Sequence, residues 1–128
     1  EQLFNYNVYG GKVMAVDTPI VDEEKVKKTL KRMISDTEIY SISDFFKIFG
    51  DSTRLKIIWA LDDNPLCVGD LCNVCDITKS AASHQLNILK TNKIVKYKKQ
   101  GKNVIYSLDD EHVSLIIETA RRHLKEEK

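Results

Sequence analysis

A mainly α-helical domain with one β-hairpin follows from three features of the sequence. Apolar residues recur at spacings of three and four through most of the chain after Val21, the signature of amphipathic helices. Two short strand-like runs near the end flank a turn of lysine and glycine. Ahead of them a short helix, a turn and a second helix follow one another. Helix-turn-helix followed by a hairpin is the winged helix-turn-helix arrangement, and a chain of 128 residues accommodates one such domain.

Composition sets the outer bounds. With 42% hydrophobic and 30% charged residues the chain has the balance of a globular domain. No run approaches the ~18 apolar residues of a membrane span, and no secretory signal is expected. Cys67, Cys72 and Cys75 form an odd, clustered set that reads as reduced thiols in a cytoplasmic protein. The net charge of +1 hides an uneven distribution. Lys90, Lys93, Lys96, Lys98, Lys99 and Lys102 occur with no acid among them, which suggests a face for a polyanion.

Residues 1–21 carry Gly10-Gly11, Pro19 and scattered aromatics without periodicity, and the chain opens on Glu1 rather than Met. A flexible arm, in part a cloning remnant, is expected there, with the folded domain over 22–127. Asp22-Glu23-Glu24 opens the first helix, with Val26, Leu30, Met33 and Ile34 as its apolar stripe. Ile42, Phe45, Phe46, Ile48 and Phe49 mark a second, capped by Ser41 or Ser43 and ended by Gly50. Asp51-Ser52 caps a third, Thr53 to Leu61, and Asp62-Asp63-Asn64-Pro65 is a turn.

A short helix from Val68 to Cys75 follows, with Asp76 in a left-handed closing position, and Thr78 caps the next helix from Lys79 to Thr91. That second helix is the candidate reader of double-stranded DNA. Lys79, Ser80, Ser83, His84, Gln85 and Asn87 can bond phosphates or base edges, Ala81 and Ala82 permit close approach, and Leu86 and Leu89 anchor it. Ile94-Val95-Lys96-Tyr97 and Val104 to Leu108 read as strands around Lys98-Lys99-Gln100-Gly101-Lys102. The hairpin is the wing, and Lys98, Lys99 and Lys102 at its tip are placed for the phosphate backbone.

Asp109 is expected to cap the last helix, striped by Val113, Ile116, Ile117 and Ala120 with Leu115 and Leu124 beside them. So wide a stripe needs a partner, and a second copy of the chain is a reasonable one. Asp110 and His112 stand at the start of this helix, His123 and Glu126 at its end. At 1.5 Å per residue the histidines are roughly 16 Å apart, so one helix cannot close a four-ligand shell, whereas two antiparallel copies can. Two carboxylates and two imidazoles suit zinc or a similar divalent ion. The same residues also suit plain capping and solvation of a helix.

Several stretches in order resemble the ArsR/SmtB family of metal-sensing winged-helix repressors. They are Phe49 to Ile57, Leu66 to Leu71, Ser83-His84-Gln85-Leu86, Leu89-Lys90, Lys99 to Lys102, Tyr106-Ser107-Leu108, and Asp110-x-His112 with His123-x-x-Glu126. The resemblance covers about Val21 to Glu126. It implies a homodimer paired through terminal helices that binds operator DNA in the apo state and releases it when metal binds. It further implies that Asp110 and His112 of one protomer join His123 and Glu126 of the other around a regulatory zinc, with cobalt, cadmium or lead as other candidate ions. Cadmium- and lead-responsive members carry Leu-Cys-Val-Cys-Asp, where this chain has Gly69 for the second Cys and Val16 and Ile20 in place of thiols in the arm. The family's second site, reduced here to Cys67 and Asp70, is therefore read as vestigial.

Cys72 and Cys75, three apart on one helix, could share a metal or switch the protein by thiol oxidation, and a small ligand is another conceivable trigger. Core placement of small apolar thiols is the reading the helix pattern favours. An enzyme is not expected: there is no Gly-rich phosphate loop, no nucleophile–base pair, and no metal site with an open position.

Overall fold

The computed structural model describes residues 7–9, 12–14 and 18–126, which fall in two units, Glu1–Ser41 and Ile42–Lys128. In the first unit β1 (Asn7–Tyr9) and β2 (Lys12–Met14) pair antiparallel, with Asn7 opposite Met14. The arm expected over 1–21 thus contains a short strand pairing; Gly10-Gly11 between two short runs is a hairpin signal that the missing periodicity masked. The rest of that arm up to residue 17, Val16 included, lies outside the described residues.

Helix α1 (Glu23–Arg32) starts where expected, because the Asp22 carboxylate accepts the Lys25 N–H at 3.0 Å. It stops at Arg32, leaving Met33 and Ile34 beyond its end. Helix α2 (Asp36–Phe49) begins earlier than the apolar pattern suggested. Ser35 Oγ accepts the Glu38 N–H at 3.2 Å, so Ser35 caps this helix rather than Ser41 or Ser43.

In the second unit α2 runs out at Phe49 and α3 (Ser52–Asp63) follows, with the Asp51 carboxylate accepting the Arg54 N–H at 2.9 Å. Then come β3 (Leu66–Cys67), α4 (Val68–Cys75), α5 (Lys79–Thr91), β4 (Val95–Gln100), β5 (Asn103–Leu108) and α6 (Glu111–Lys125). The strands form one antiparallel sheet in the order β3-β5-β4, with Val95 opposite Leu108 and Gln100 opposite Asn103. The hairpin is longer than the expected runs: it extends through the lysines to Gln100 and turns at Gly101, whose φ of +62° favours glycine. The two-residue strand β3 carries no period to detect.

The core of this unit joins Ile57 and Ile58 of α3, Leu71 and Cys75 of α4, Leu86 and Leu89 of α5, Ile94 and Val95 at the wing root, and Val113 and Ile117 of α6. Among the described residues no buried side-chain nitrogen or oxygen lacks a hydrogen-bond partner, and no helix is long and apolar enough to cross a membrane. Leu89 is fully buried whereas Val74 lies exposed on α4. Leu89→Ala is expected to cost about 2–5 kcal/mol and Val74→Ala under about 0.5 kcal/mol. Urea unfolding midpoints of the two variants check this, and equal losses would contradict the assigned core.

Candidate nucleic-acid interface and metal site

The turn between α4 and α5 is built from backbone chemistry. Asp76 adopts φ 54° and ψ 53°, and its N–H and that of Ile77 both donate to the Cys72 carbonyl. The chain is thereby turned into Thr78, whose Oγ1 accepts the Ala81 N–H at 3.1 Å and starts α5. Ala82, Leu86 and Leu89 are buried on one side of α5. The opposite side leaves Lys79, Ser80, Ser83, His84, Asn87 and Lys90 exposed, as a reading surface requires. Ser80 Oγ lies 3.3 Å from the capping Thr78 Oγ1.

Two expectations for this helix change. Ala82 is buried, so its small side chain serves close packing rather than approach to a groove. Gln85 is half-buried, and its Oε1 accepts from Arg54 Nη1 at 3.2 Å, so that oxygen is already engaged within the fold. The end of α5 is closed by Lys93 at φ 58°, its N–H donating to Lys90 O and the Ile94 N–H to Leu89 O. This pair of bonds caps the helix and sends buried Ile94 into the wing.

Lys98, Lys99 and Lys102 are all exposed on the wing. Alternation along β4 nevertheless puts Lys96 and Lys98 on one face, and Val95, Tyr97 and Lys99 on the other. The second face adjoins α5: Lys90 Nζ lies 5.0 Å from the Tyr97 ring centroid, and Tyr97 stands 5.8 Å from its cross-strand partner Tyr106. No local pattern hints at Lys90–Tyr97, because neither residue signals a partner in another element. β4 is also the sheet edge, where lysines discourage pairing with foreign strands whatever else they do.

Helix α6 begins one residue later than expected. Asp110, not Asp109, is the cap: its Oδ1 accepts the His112 N–H at 2.8 Å, while the Asp109 N–H donates to Ile94 O. The His112 backbone bond holds the Asp110 carboxyl below the usual carboxylate range. His112 Nδ1 lies 3.2 Å from the same oxygen, so an imidazole nitrogen and a carboxylate sit side by side with both side chains well exposed. His123 in the last turn and Glu126 just past it are also exposed. The structure thus unites Asp110 with His112 and leaves His123 and Glu126 at the far end of the same helix. Among the described residues no three His, Cys, Asp or Glu side chains of the single chain converge as a metal site. The donors themselves, nitrogen and oxygen, fit zinc.

Cys67 ends β3 and Asp70 lies exposed in the first turn of α4. A Cβ at Gly69 would meet nothing within 4 Å, so packing does not forbid a thiol at that position. Cys75 is buried, and desolvation raises its thiol pKa above the ordinary value, with Lys56 opposing and Cys72 adding to the shift.

The comparisons with known proteins meet this geometry at the same elements. The model of the bacterial regulatory protein, arsR family, matches residues 51–97, from the cap of α3 into the wing. A transcriptional repressor SmtB homolog from Synechocystis is 37% identical over 86% of this chain and 83% of its own length. The chain belongs to the ArsR/SmtB family of metal-sensing winged-helix repressors. A cadmium resistance transcriptional regulatory protein CadC homolog from Staphylococcus aureus is 39% identical over 83% of this chain and 88% of its own. The solution structure of apo-NmtR superimposes with a TM-score of 0.63 at 25% identity, covering 89% of this chain and 87% of that one. This ArsR/SmtB member is a transcriptional regulator and not an enzyme.

Burial and the raised pKa make Cys75 the slow thiol. Brief iodoacetamide labelling of native protein, read by peptide mass, is expected to modify Cys67 and Cys72 first and Cys75 only on unfolding. Early labelling of Cys75 would show that α4 opens at that point.

Proposed function

We propose that this protein is a repressor that binds operator DNA as an apo homodimer and lets it go when zinc, or a similar divalent ion, reaches sites between two C-terminal helices. Asp110 and His112 of one protomer and His123 and Glu126 of its partner would hold the ion. Bound there, zinc supplies a closed tetrahedral centre that ties two helix ends together. The observation that carries the reading is α6 itself: two nitrogen–oxygen donor pairs at opposite ends of a helix whose apolar side is open. Leu124, on that side, is 83% exposed. Phe46 and Phe49 of α2, Leu55 and Trp59 of α3, and Ile116 and Leu124 of α6 line a groove of about 580 Å³. A second α6 laid antiparallel along that groove brings each donor pair to its complement.

On the other side, Lys79, Ser80, Ser83 and His84 face outward for DNA, with Gln85 offering its amide N–H groups, and Lys98, Lys99 and Lys102 extend the surface along the wing. Metal shifts the DNA equilibrium only by binding one dimer geometry better than the other. Cys67 and Asp70 supply too few donors for a tight second site. Switching by Cys72–Cys75 oxidation is disfavoured by the buried, proton-retaining Cys75. A cytoplasmic location is part of this reading, supported by the family and the free cysteines, and zinc over cadmium, cobalt or lead rests on the His and carboxylate donors.

Fluorescence anisotropy on operator DNA tests the switch. Zinc is expected to weaken binding by about 5- to 150-fold at one ion per protomer with proton release. His112→Ala and His123→Gln should keep apo affinity and lose the response, while Cys67→Ser keeps both. Release that persists in His123→Gln would refute the site. The wing is read by salt dependence: each phosphate contact contributes about 0.9 to the slope of log K against log salt. Because Lys98 and Lys99 lie on opposite faces, the two single Gln variants should lower that slope unequally, and equal losses would argue against this wing placement.

A further inference from the structure

We infer that Arg54 is a positioning residue for operator recognition: its guanidinium ties Gln85 of the reading helix to the C-terminal turn of α2. This rests on the reading of α5 as the DNA-reading helix. Arg54 belongs to the first turn of α3, where its backbone N–H satisfies the Asp51 cap. Its side chain reaches back, with Nε donating to Ile48 O at 2.9 Å and Nη2 to Lys47 O at 3.5 Å. These are carbonyls in the last turn of α2, of which Lys47 O also accepts the Gly50 N–H at 3.2 Å, and a cation there opposes the negative end of the helix dipole.

Capping α2 needs only that one edge of the fork. Nη1, on the other edge, donates to Gln85 Oε1 at 3.2 Å, joining residues 31 apart in sequence. A planar guanidinium holds its donors in fixed relation, so the bonds to α2 set the direction of the bond to Gln85. With its oxygen engaged, Gln85 has its amide N–H groups left to offer, and the carboxamide orientation is decided before DNA arrives. Preorganisation of this kind favours one site over others more than it raises affinity for all duplexes. The last turn of α2 also contributes Phe46 and Phe49 to the apolar groove, so Arg54 links the turn that lines that groove to the reading surface.

The test uses the full chain, a duplex that the wild type enriches from a random-sequence pool, and an unrelated duplex of equal length. Arg54→Lys keeps the charge and loses the fork. Affinity for the enriched duplex is expected to fall about tenfold, within the worth of one base-edge contact, while affinity for the unrelated duplex and the salt slope stay unchanged. Gln85→Met should reproduce the loss, and the double variant should lose no more than either single, since both cut one path. Thermal midpoints establish that each variant is folded; if Arg54→Lys is not, an undiminished preference in Gln85→Met overturns the inference. Losses that multiply in the double variant overturn it as well. So does a salt slope that drops by about 0.9 in Arg54→Ala with preference intact, which makes Arg54 a phosphate contact. If the wild type enriches no duplex, the DNA-reading role of α5 fails first and this inference with it.

Discussion

Helix α3 is apolar on more than one side, and the second unit is arranged around the need to bury it. Ile57, Ile58 and Leu61 are buried against α4, α5 and β5. Leu55 and Trp59 remain half-buried on another side, where they line the groove shared with α2 and α6. An ordinary surface helix hides one stripe. This one is a wall between two compartments, the helix-turn-helix core on one side and the open groove on the other. At roughly 25 cal/mol per Å² of apolar surface removed from water, leaving either side bare is costly, so α3 accounts for both the stability of the reading unit and its readiness to acquire a partner.

That partition bears on how one event could reach both surfaces. Close-packed interiors move as discrete rearrangements rather than by smooth deformation. Arg121 lies over the Trp59 ring at 5.7 Å on the groove side, and Arg54 bonds Gln85 on the reading side. Both contacts are anchored in α3, two turns or less apart. A change in how α6 sits on the groove therefore meets the same rigid helix that orients the reader.

What the sequence made legible was mostly local. Asp22, Asp51 and Thr78 announce helix starts because a short acceptor side chain ahead of an apolar run has one obvious use, and Asp76 marks a left-handed turn for a similar reason. The early start of α2 was hidden because Ile39 and Tyr40 lie on an exposed side, so the apolar period begins only inside the helix. The wing strands outran their expected ends because lysine carries no strand signal on an edge. Asp109 and Asp110 are chemically equal candidates for one cap, and only three-dimensional register separates them: Asp109 is drawn back to Ile94. The donor pairs of α6 were visible by spacing. The Arg54–Gln85 bond was not, since nothing local distinguishes an arginine that reaches across the fold from one that points to water.

The cap of α6 places a demand on the proposed metal site that spacing alone does not reveal. Asp110 Oδ1 is occupied by the His112 N–H that starts the helix, yet a carboxylate has a second oxygen with free lone pairs. Holding an ion on Oδ2 and keeping the cap on Oδ1 are therefore compatible, and the cap fixes the carboxylate beside the His112 ring before any ion arrives. That bond also lowers the carboxyl pKa, in the direction that favours the ionised form a metal ligand needs. At the other end Glu126 lies just outside the last turn, its N–H still bonded to Arg122 O. One donor pair is thus preorganised by a helix start and the other carried by a helix end. Such a site closes only if the helix between them stays straight and continuous through its whole length, so the apolar stripe that draws two copies together also has to keep α6 intact.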